Sequence, residues 1–96
     1  MSRPFFSPSS RQDLRDILEH IANDKPGAAL KYVERLEDEC WMLARNSEIG
    51  SLRNDLLPNL RCWSVGSYVV CYRAAADGVE IIRVVHAARD IGRIFQ

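Results

Sequence analysis

The stretch LRCWSVGSYVVCYRAAADGVEIIRVVH, residues 60–86, restricts the fold more than any other part of the chain, because it spells three consecutive strands. Residues 60–65 and 68–74 flank Gly66-Ser67, a two-residue hairpin loop with glycine where a positive φ is needed. A second turn, Ala76-Asp77-Gly78, leads into residues 79–86, a β-branched run that tolerates burial on both faces. With a two-residue loop, opposite positions in the first hairpin sum to 133, which sets Cys62 across from Cys71. In that register Arg61, Trp63, Val65, Tyr68, Val70 and Tyr72 share one face, and Leu60, Cys62, Ser64, Val69, Cys71 and Arg73 share the other. The Trp-Tyr face is the bulkier and is expected to be the core, with Arg61 reaching an edge. The opposite face, concave because sheets twist, is expected to receive a partner.

The first half reads as helix. Ser10-Arg-Gln-Asp13 has the spacing of a capping box, with an acid near the positive end of the helix dipole. Leu14, Ile17, Leu18, Ile21 and Ala22 then fall on one helical face. Asn23-Asp24-Lys25-Pro26-Gly27 breaks that helix, and Pro26 suits the first turn of a second. There Ala29, Val33, Leu36, Cys40 and Leu43 alternate spacings of four and three, which keeps the stripe on one side. So short a connection predicts an antiparallel helical hairpin. Residues 3–7, bounded by Pro4 and Pro8, form a strand candidate for an edge. Residues 46–59 make a long loop whose Ile49, Leu52, Leu56 and Leu57 are expected to cover part of the core. Trp41 and Tyr32 lie off the main stripe; Trp41 either packs on that loop or belongs to a partner surface. The order β-α-α-β-β-β, with a closing helical turn from Asp90, gives an α+β fold over residues 1–96: a helical hairpin on a mostly antiparallel sheet.

Composition narrows the function. Thirteen basic and thirteen acidic residues cancel, so direct nucleic-acid binding is not expected. The charges are unevenly placed: residues 9–48 carry nine acidic and six basic side chains, residues 49–96 four acidic and six arginines. An acidic partner would meet the C-terminal half. No stretch approaches a membrane span or a signal peptide, so the protein is expected in the cytoplasm with reduced thiols. Three cysteines without CxxC spacing fit no zinc site, and no metal or cofactor is expected. No phosphate loop or nucleophile elbow is present.

The strongest cluster of polar groups lies at the end of the last strand. Arg83, His86, Arg89 and Asp90, with Arg61 and Arg73 from neighbouring strands, are the candidates for contacting acidic residues of partners. The structural alternative has Asp90 capping the final turn and pairing with Arg89 or Arg93. As partner contacts, Arg83 and Arg89 would be replaceable by alanine with little change in melting. A catalytic reading would give His86 the proton transfers and the arginines a phosphorane to stabilise. No tyrosine or glutamate neighbours His86 in sequence, however, and a histidine at a strand end is more often held to backbone. His20, in the middle of the first helix, reads as surface filler.

Together the helix opening SRQDLRDI, the second helix with Tyr32 and Leu36, and GSYVVCYR followed by VEIIRVVHAARDI resemble ParE-type toxins of bacterial type II toxin–antitoxin systems, in the RelE/ParE superfamily. The resemblance covers nearly the whole chain. It implies a RelE-like fold without the RelE catalytic set, and therefore an inhibitor that is not an enzyme. It further implies DNA gyrase as target and a co-encoded ParD-like antitoxin as partner, its disordered tail folding on the toxin. Residues 46–59 are poorly patterned, so no target contact carries over there. The alternative is a RelE-type ribosome-dependent mRNA endoribonuclease; a third reading is an inactive relative that only holds its antitoxin.

Overall fold

A computed structural model describes residues 2–96. The chain runs β1 (Arg3–Phe6), α1 (Pro8–Asp24), α2 (Pro26–Arg45), β2 (Ser51–Leu52), β3 (Arg61–Val65), β4 (Tyr68–Ala75), β5 (Gly78–His86) and α3 (Ile91–Ile94). One five-stranded sheet, in the order β1-β5-β4-β3-β2, carries the α1–α2 hairpin on one face. Only β1 is parallel to its neighbour, β5; the other pairings are antiparallel. The first hairpin has the expected register, Val65 opposite Tyr68 and Cys62 opposite Cys71, and Gly66 takes φ +58°. Gly78, at φ +140°, is where β1 begins to pair; a Cβ there would collide with the backbone of Arg3.

The Trp-Tyr face is the core. Val65, Tyr68, Val70, Tyr72, Val79, Ile81 and Val84 pack against Ile17, Val33, Leu36, Cys40, Leu43 and Ala44, with Leu14, Leu18, Ile21 and Trp63 at its margin. Both helical stripes thus face the sheet as their spacing requires. A bulge keeps β5 in step: Cys71 pairs with Arg83 and Tyr72 with Ile81, so Ile82 has no opposite residue. Ile82 consequently points away from the helices, while Ile81 and Val84 point toward them.

Three expectations are corrected. The first helix starts two residues before the Ser10 box. Ser7 is the N-cap, its hydroxyl accepting from the Ser10 amide at 3.0 Å, with Pro8 in the first turn. Proline suits that place because its missing N–H has no helical partner there, and Asp13 is left free for another role. Second, the loop contributes a strand: β2 pairs with β3, Ser51 opposite Cys62 and Leu52 opposite Arg61. Third, the face away from the helices is not an open partner site. Leu60, Val69, Cys71 and Val85 are buried there, with Leu56 and Leu57 from the loop and Ile91, Ile94 and Phe95 from the C-terminal segment packed against them.

Tyr72 explains why the loop is ordered. Its ring is fully buried, and its hydroxyl accepts from the Gly50 amide at 2.8 Å while donating to the Ser47 carbonyl at 3.0 Å. Arg61 does reach the edge, where it donates to the carbonyls of Glu48 and Gly50 at 3.1 and 2.8 Å. These bonds fix residues 47–50 and deliver Ser51 to the flank of β3. Trp41 stays 43% exposed.

Tyr72→Phe should therefore lose about 1–3 kcal/mol of stability, because it leaves the Gly50 amide unpaired in a buried place. The check is a urea titration with near-equal slopes for both proteins, together with faster tryptic cleavage at Arg53 in the variant.

Candidate binding surfaces

β1 accompanies only the first part of β5, since its register ends at Phe6 opposite Ile81. Beyond that point α1 lies along the free edge of β5. The Ser7 amide donates to the Ile81 carbonyl at 3.0 Å, and the Ser7 hydroxyl to the Ile82 carbonyl at 2.8 Å. One turn into the helix, a carboxylate oxygen of Asp13 accepts the Val84 amide at 2.9 Å. The same carboxylate takes both arms of Arg83, Nε at 2.7 Å and Nη2 at 2.9 Å. The hydrogen bonds that Arg83 donates to Asp13 raise the pKa of its guanidinium above the ordinary value. Arg83 is therefore a half-buried internal clamp and not a free surface contact, so its removal is expected to lower the melting temperature.

Asp13, Asp16, Ile17 and His20 follow one another at spacings of three, one and three, so one face of α1 carries all four. Across from them stand Tyr68, Val84, Val85, His86 and Arg89, and together these nine residues line a groove of about 400 Å³. A second groove, of about 380 Å³, shares His20, Tyr68 and His86 and continues past Lys25 to Tyr32 and Ser67. His20 is thus a wall of the same groove as His86, contrary to its reading as filler. The signal was its helical spacing from Asp13 and Asp16.

Aromatic rings run along this floor. Tyr32 meets Tyr68 edge-on at 5.6 Å between centroids, and Tyr68 meets His86 edge-on at 5.2 Å. Tyr32 holds the β3–β4 turn, donating to the Val65 carbonyl and accepting from the Ser67 amide, both at 3.2 Å. Burial and then the neighbouring Tyr32 push the Tyr68 phenol above its ordinary value. The imidazole of His86 accepts the Ala88 amide at Nδ1, 3.0 Å away. With Nδ1 accepting in this way, the Nε2 of His86 is the nitrogen turned outward.

The six candidates do not form one cluster. Arg61 and Arg73 belong to a depression of about 520 Å³ with Ser47, Glu48 and Leu52, beside β2. There Arg73 pairs with Glu80 at 3.2 Å, both half-exposed, a contact worth under about 1 kcal/mol. Arg83, Arg89 and Asp90 do come together, with Arg93 and Ile94, around a hollow of about 360 Å³. Arg89 also lines the groove with His86. Asp90 is the N-cap of α3, but its side chain makes no capping hydrogen bond, and neither it nor Arg89 forms an ion pair among the described residues. Also among these residues, no group of three or more His, Cys, Asp or Glu could hold a metal, and no helix is long and apolar enough to cross a membrane.

The family described as "ParE toxin of type II toxin-antitoxin system, parDE" matches residues 5–91. The chain belongs to this family. Among solved structures it is similar to a chain of the chromosomal ParDE toxin–antitoxin system from P. aeruginosa, with a TM-score of 0.76 and 20% identity over 90% of this chain and 96% of that one. It is also similar to a chain of the RelBE2 toxin–antitoxin complex from Mycobacterium tuberculosis, with a TM-score of 0.59 and 22% identity over 88% and 96%. No curated protein matches it. The α+β fold with two helices on a five-stranded sheet is the one these neighbours share. The chain is a ParE-type toxin of a type II toxin–antitoxin system.

Asp13→Ala is expected to destabilise the protein by about 2–4 kcal/mol, since it leaves both Arg83 and the Val84 amide without their partner. Denaturant unfolding measures the loss, and amide exchange at Val84 should accelerate beyond the global change. In a double-mutant cycle, Asp13→Ala and Arg83→Ala should be coupled by at least about 1 kcal/mol; additive effects would show the clamp to be inert.

Proposed function

We propose that this toxin acts by binding DNA gyrase, without catalysis of its own, and that a co-encoded ParD-like antitoxin neutralises it. The observation that carries the proposal is the family match over residues 5–91. The setting of His86 supports the non-enzymatic part: the histidine best placed for proton transfer has its Nδ1 engaged by the Ala88 amide. The toxin–antitoxin neighbours support an antitoxin partner. In this reading residues 1–96 form one toxin domain working in the cytoplasm.

The contacts follow from which groups remain available. Arg89 and Asp90 are exposed, and His86 turns its Nε2 outward. Arg89, His86 and His20 border a groove of mixed polarity, whose apolar floor suits an amphipathic partner segment and whose rim fixes its orientation, while Asp90 lies in the neighbouring hollow with Arg83 and Arg93. Arg61, Arg73 and Arg83 are engaged within the chain, so they contribute to partner binding less than Arg89 does. The surface used for gyrase and that covered by antitoxin are proposed to overlap here.

Purified toxin should inhibit gyrase supercoiling, and expressing cells should filament while ribosome-bound mRNA stays intact. Mapping mRNA ends is the discriminating measurement: cuts within codons at the ribosomal A site would establish the endoribonuclease alternative instead. Arg89→Ala should weaken toxicity or antitoxin affinity at least about tenfold, or about 1.4 kcal/mol, with unchanged melting. His86→Gln should lose activity in part, whereas a general base would lose nearly all of it. Full toxicity and unaltered antitoxin affinity in Arg89→Ala would remove the groove rim from the binding surface.

A further inference from the structure

Two thiols unrelated to the groove face each other across β3 and β4. Cys62 and Cys71 are directly opposite in the register, and their sulfurs lie 3.9 Å apart. The tight turn makes Val65–Tyr68 a hydrogen-bonded pair, and pairs alternate, so Cys62–Cys71 is of the non-hydrogen-bonded kind. In such pairs the Cα atoms are about 4.5 Å apart, inside the range a disulfide spans. Side-chain rotation alone can bring the sulfurs to bonding distance. Their exposures differ. Cys62 is partly open beside Arg53, whereas Cys71 is fully buried in the second apolar cluster.

We propose that Cys62 and Cys71 form a redox modification site, in which Cys62 is oxidised by a hydroperoxide and Cys71 resolves it as an intramolecular disulfide. In the first step the Cys62 thiolate attacks the outer peroxide oxygen. The O–O bond breaks, Cys62 becomes a sulfenic acid, and hydroxide or alkoxide leaves to take up a proton. In the second step the Cys71 sulfur attacks the Cys62 sulfur; the S–S bond forms, the S–O bond breaks, and hydroxide departs with the Cys71 proton as water. Two thiols and one hydroperoxide thus give a disulfide, water and a second water or an alcohol.

The local electrostatics assign the roles. The contact between the two sulfurs, aided by the Arg53 guanidinium, lowers Cys62 below its ordinary value and favours its thiolate, in keeping with its greater exposure. Cys71 is pushed up by the same contact and by burial, which keeps it a thiol until the sulfenic acid forms. Cys40, buried between the helices and the sheet, is pushed up to about 12 by burial and serves as an internal control.

The test uses the reduced full-length chain, alone or with its antitoxin, treated with hydrogen peroxide. Cys62 and Cys71 fall in one tryptic peptide, CWSVGSYVVCYR, and Cys40 in another, LEDECWMLAR. The first peptide should lose two hydrogens, regain them with dithiothreitol, and stay joined through sulfur after chymotryptic cleavage between the cysteines. Before oxidation, Cys62 should alkylate at neutral pH at least about tenfold faster than Cys40. Cys71→Ser should halt at a dimedone-reactive sulfenic acid on Cys62, and the oxidised wild type should melt roughly 5 °C or more higher. Oxidation confined to Cys40, disulfides only between chains, or Cys62 carried to sulfinic acid without linkage would each overturn the proposal. The peptide map of the wild type decides even if the serine variant fails to fold.

Discussion

The carboxylate of Asp13 does at the outer edge of β5 what a neighbouring strand does along its first half. β1 supplies partners only as far as Ile81, after which the chain must turn into α1. An edge left there would expose backbone donors and acceptors inside the angle between sheet and helix, where water competes poorly. Ser7 and Asp13 instead satisfy the Ile82 carbonyl and the Val84 amide from the first turns of α1. Helix position and strand edge thereby become one constraint. Arg83 closes it, since an Asp13 carboxylate buried beside the sheet needs a counter-charge, and the bidentate fork provides one with fixed geometry. The height of α1 over the sheet, and so the width of the groove between its Asp16–His20 face and Tyr68, follows from this contact.

What was legible in the sequence was whatever depends on period and turn chemistry. The Gly66-Ser67 loop fixed the β3–β4 register, and that register separated the Trp-Tyr core face from the cysteine face without further information. The stripe of α2 likewise gave buried residues at all five positions, and that of α1 gave the face turned to the core with Ile17 alone buried, because a period of 3.6 needs no knowledge of the partner. The unreadable features depend on side chains bonding to distant backbone. β2 has almost no strand pattern; it exists because Tyr72 and Arg61, more than ten residues downstream of Ser47, hold residues 47–50 in place. Asp13 looked like a capping acid because Ser10 precedes it by three, yet Ser7 with Pro8 makes the stronger helix start.

The arginines show the same division. Arg61, Arg73, Arg83 and Arg89 looked equally available, since sequence gives charge without geometry. In the fold Arg61 grips loop carbonyls, Arg73 pairs with Glu80, Arg53 with Asp55 and Arg83 with Asp13. Only Arg89 and Arg93 lack an ion pair or side-chain hydrogen bond among the described residues. Three of these positive charges are thus neutralised by carboxylates within the chain, Arg61 is tied to backbone carbonyls beside β2, and Arg89 and Arg93 stand together around the β5 exit. At 20–22% identity, its solved neighbours share the fold of this chain; which charges it leaves free is its own property.

That concentration bears on how a partner would be held. The groove floor is built from side chains already locked: Ile17 and Val84 in the core, Tyr68 between Tyr32 and His86, and His86 tied to the Ala88 amide. A floor fixed in this way loses little side-chain entropy on association, so the ordering cost falls on the incoming segment. The rim differs in kind. Arg89 and Asp16 are exposed and charged, and on the proposed reading they would steer and orient a partner while apolar burial beneath them supplied most of the affinity. Under the proposed binding mode such a surface would discriminate by register, an apolar residue entering between Tyr68 and Ile17 as an acidic one reaches Arg89.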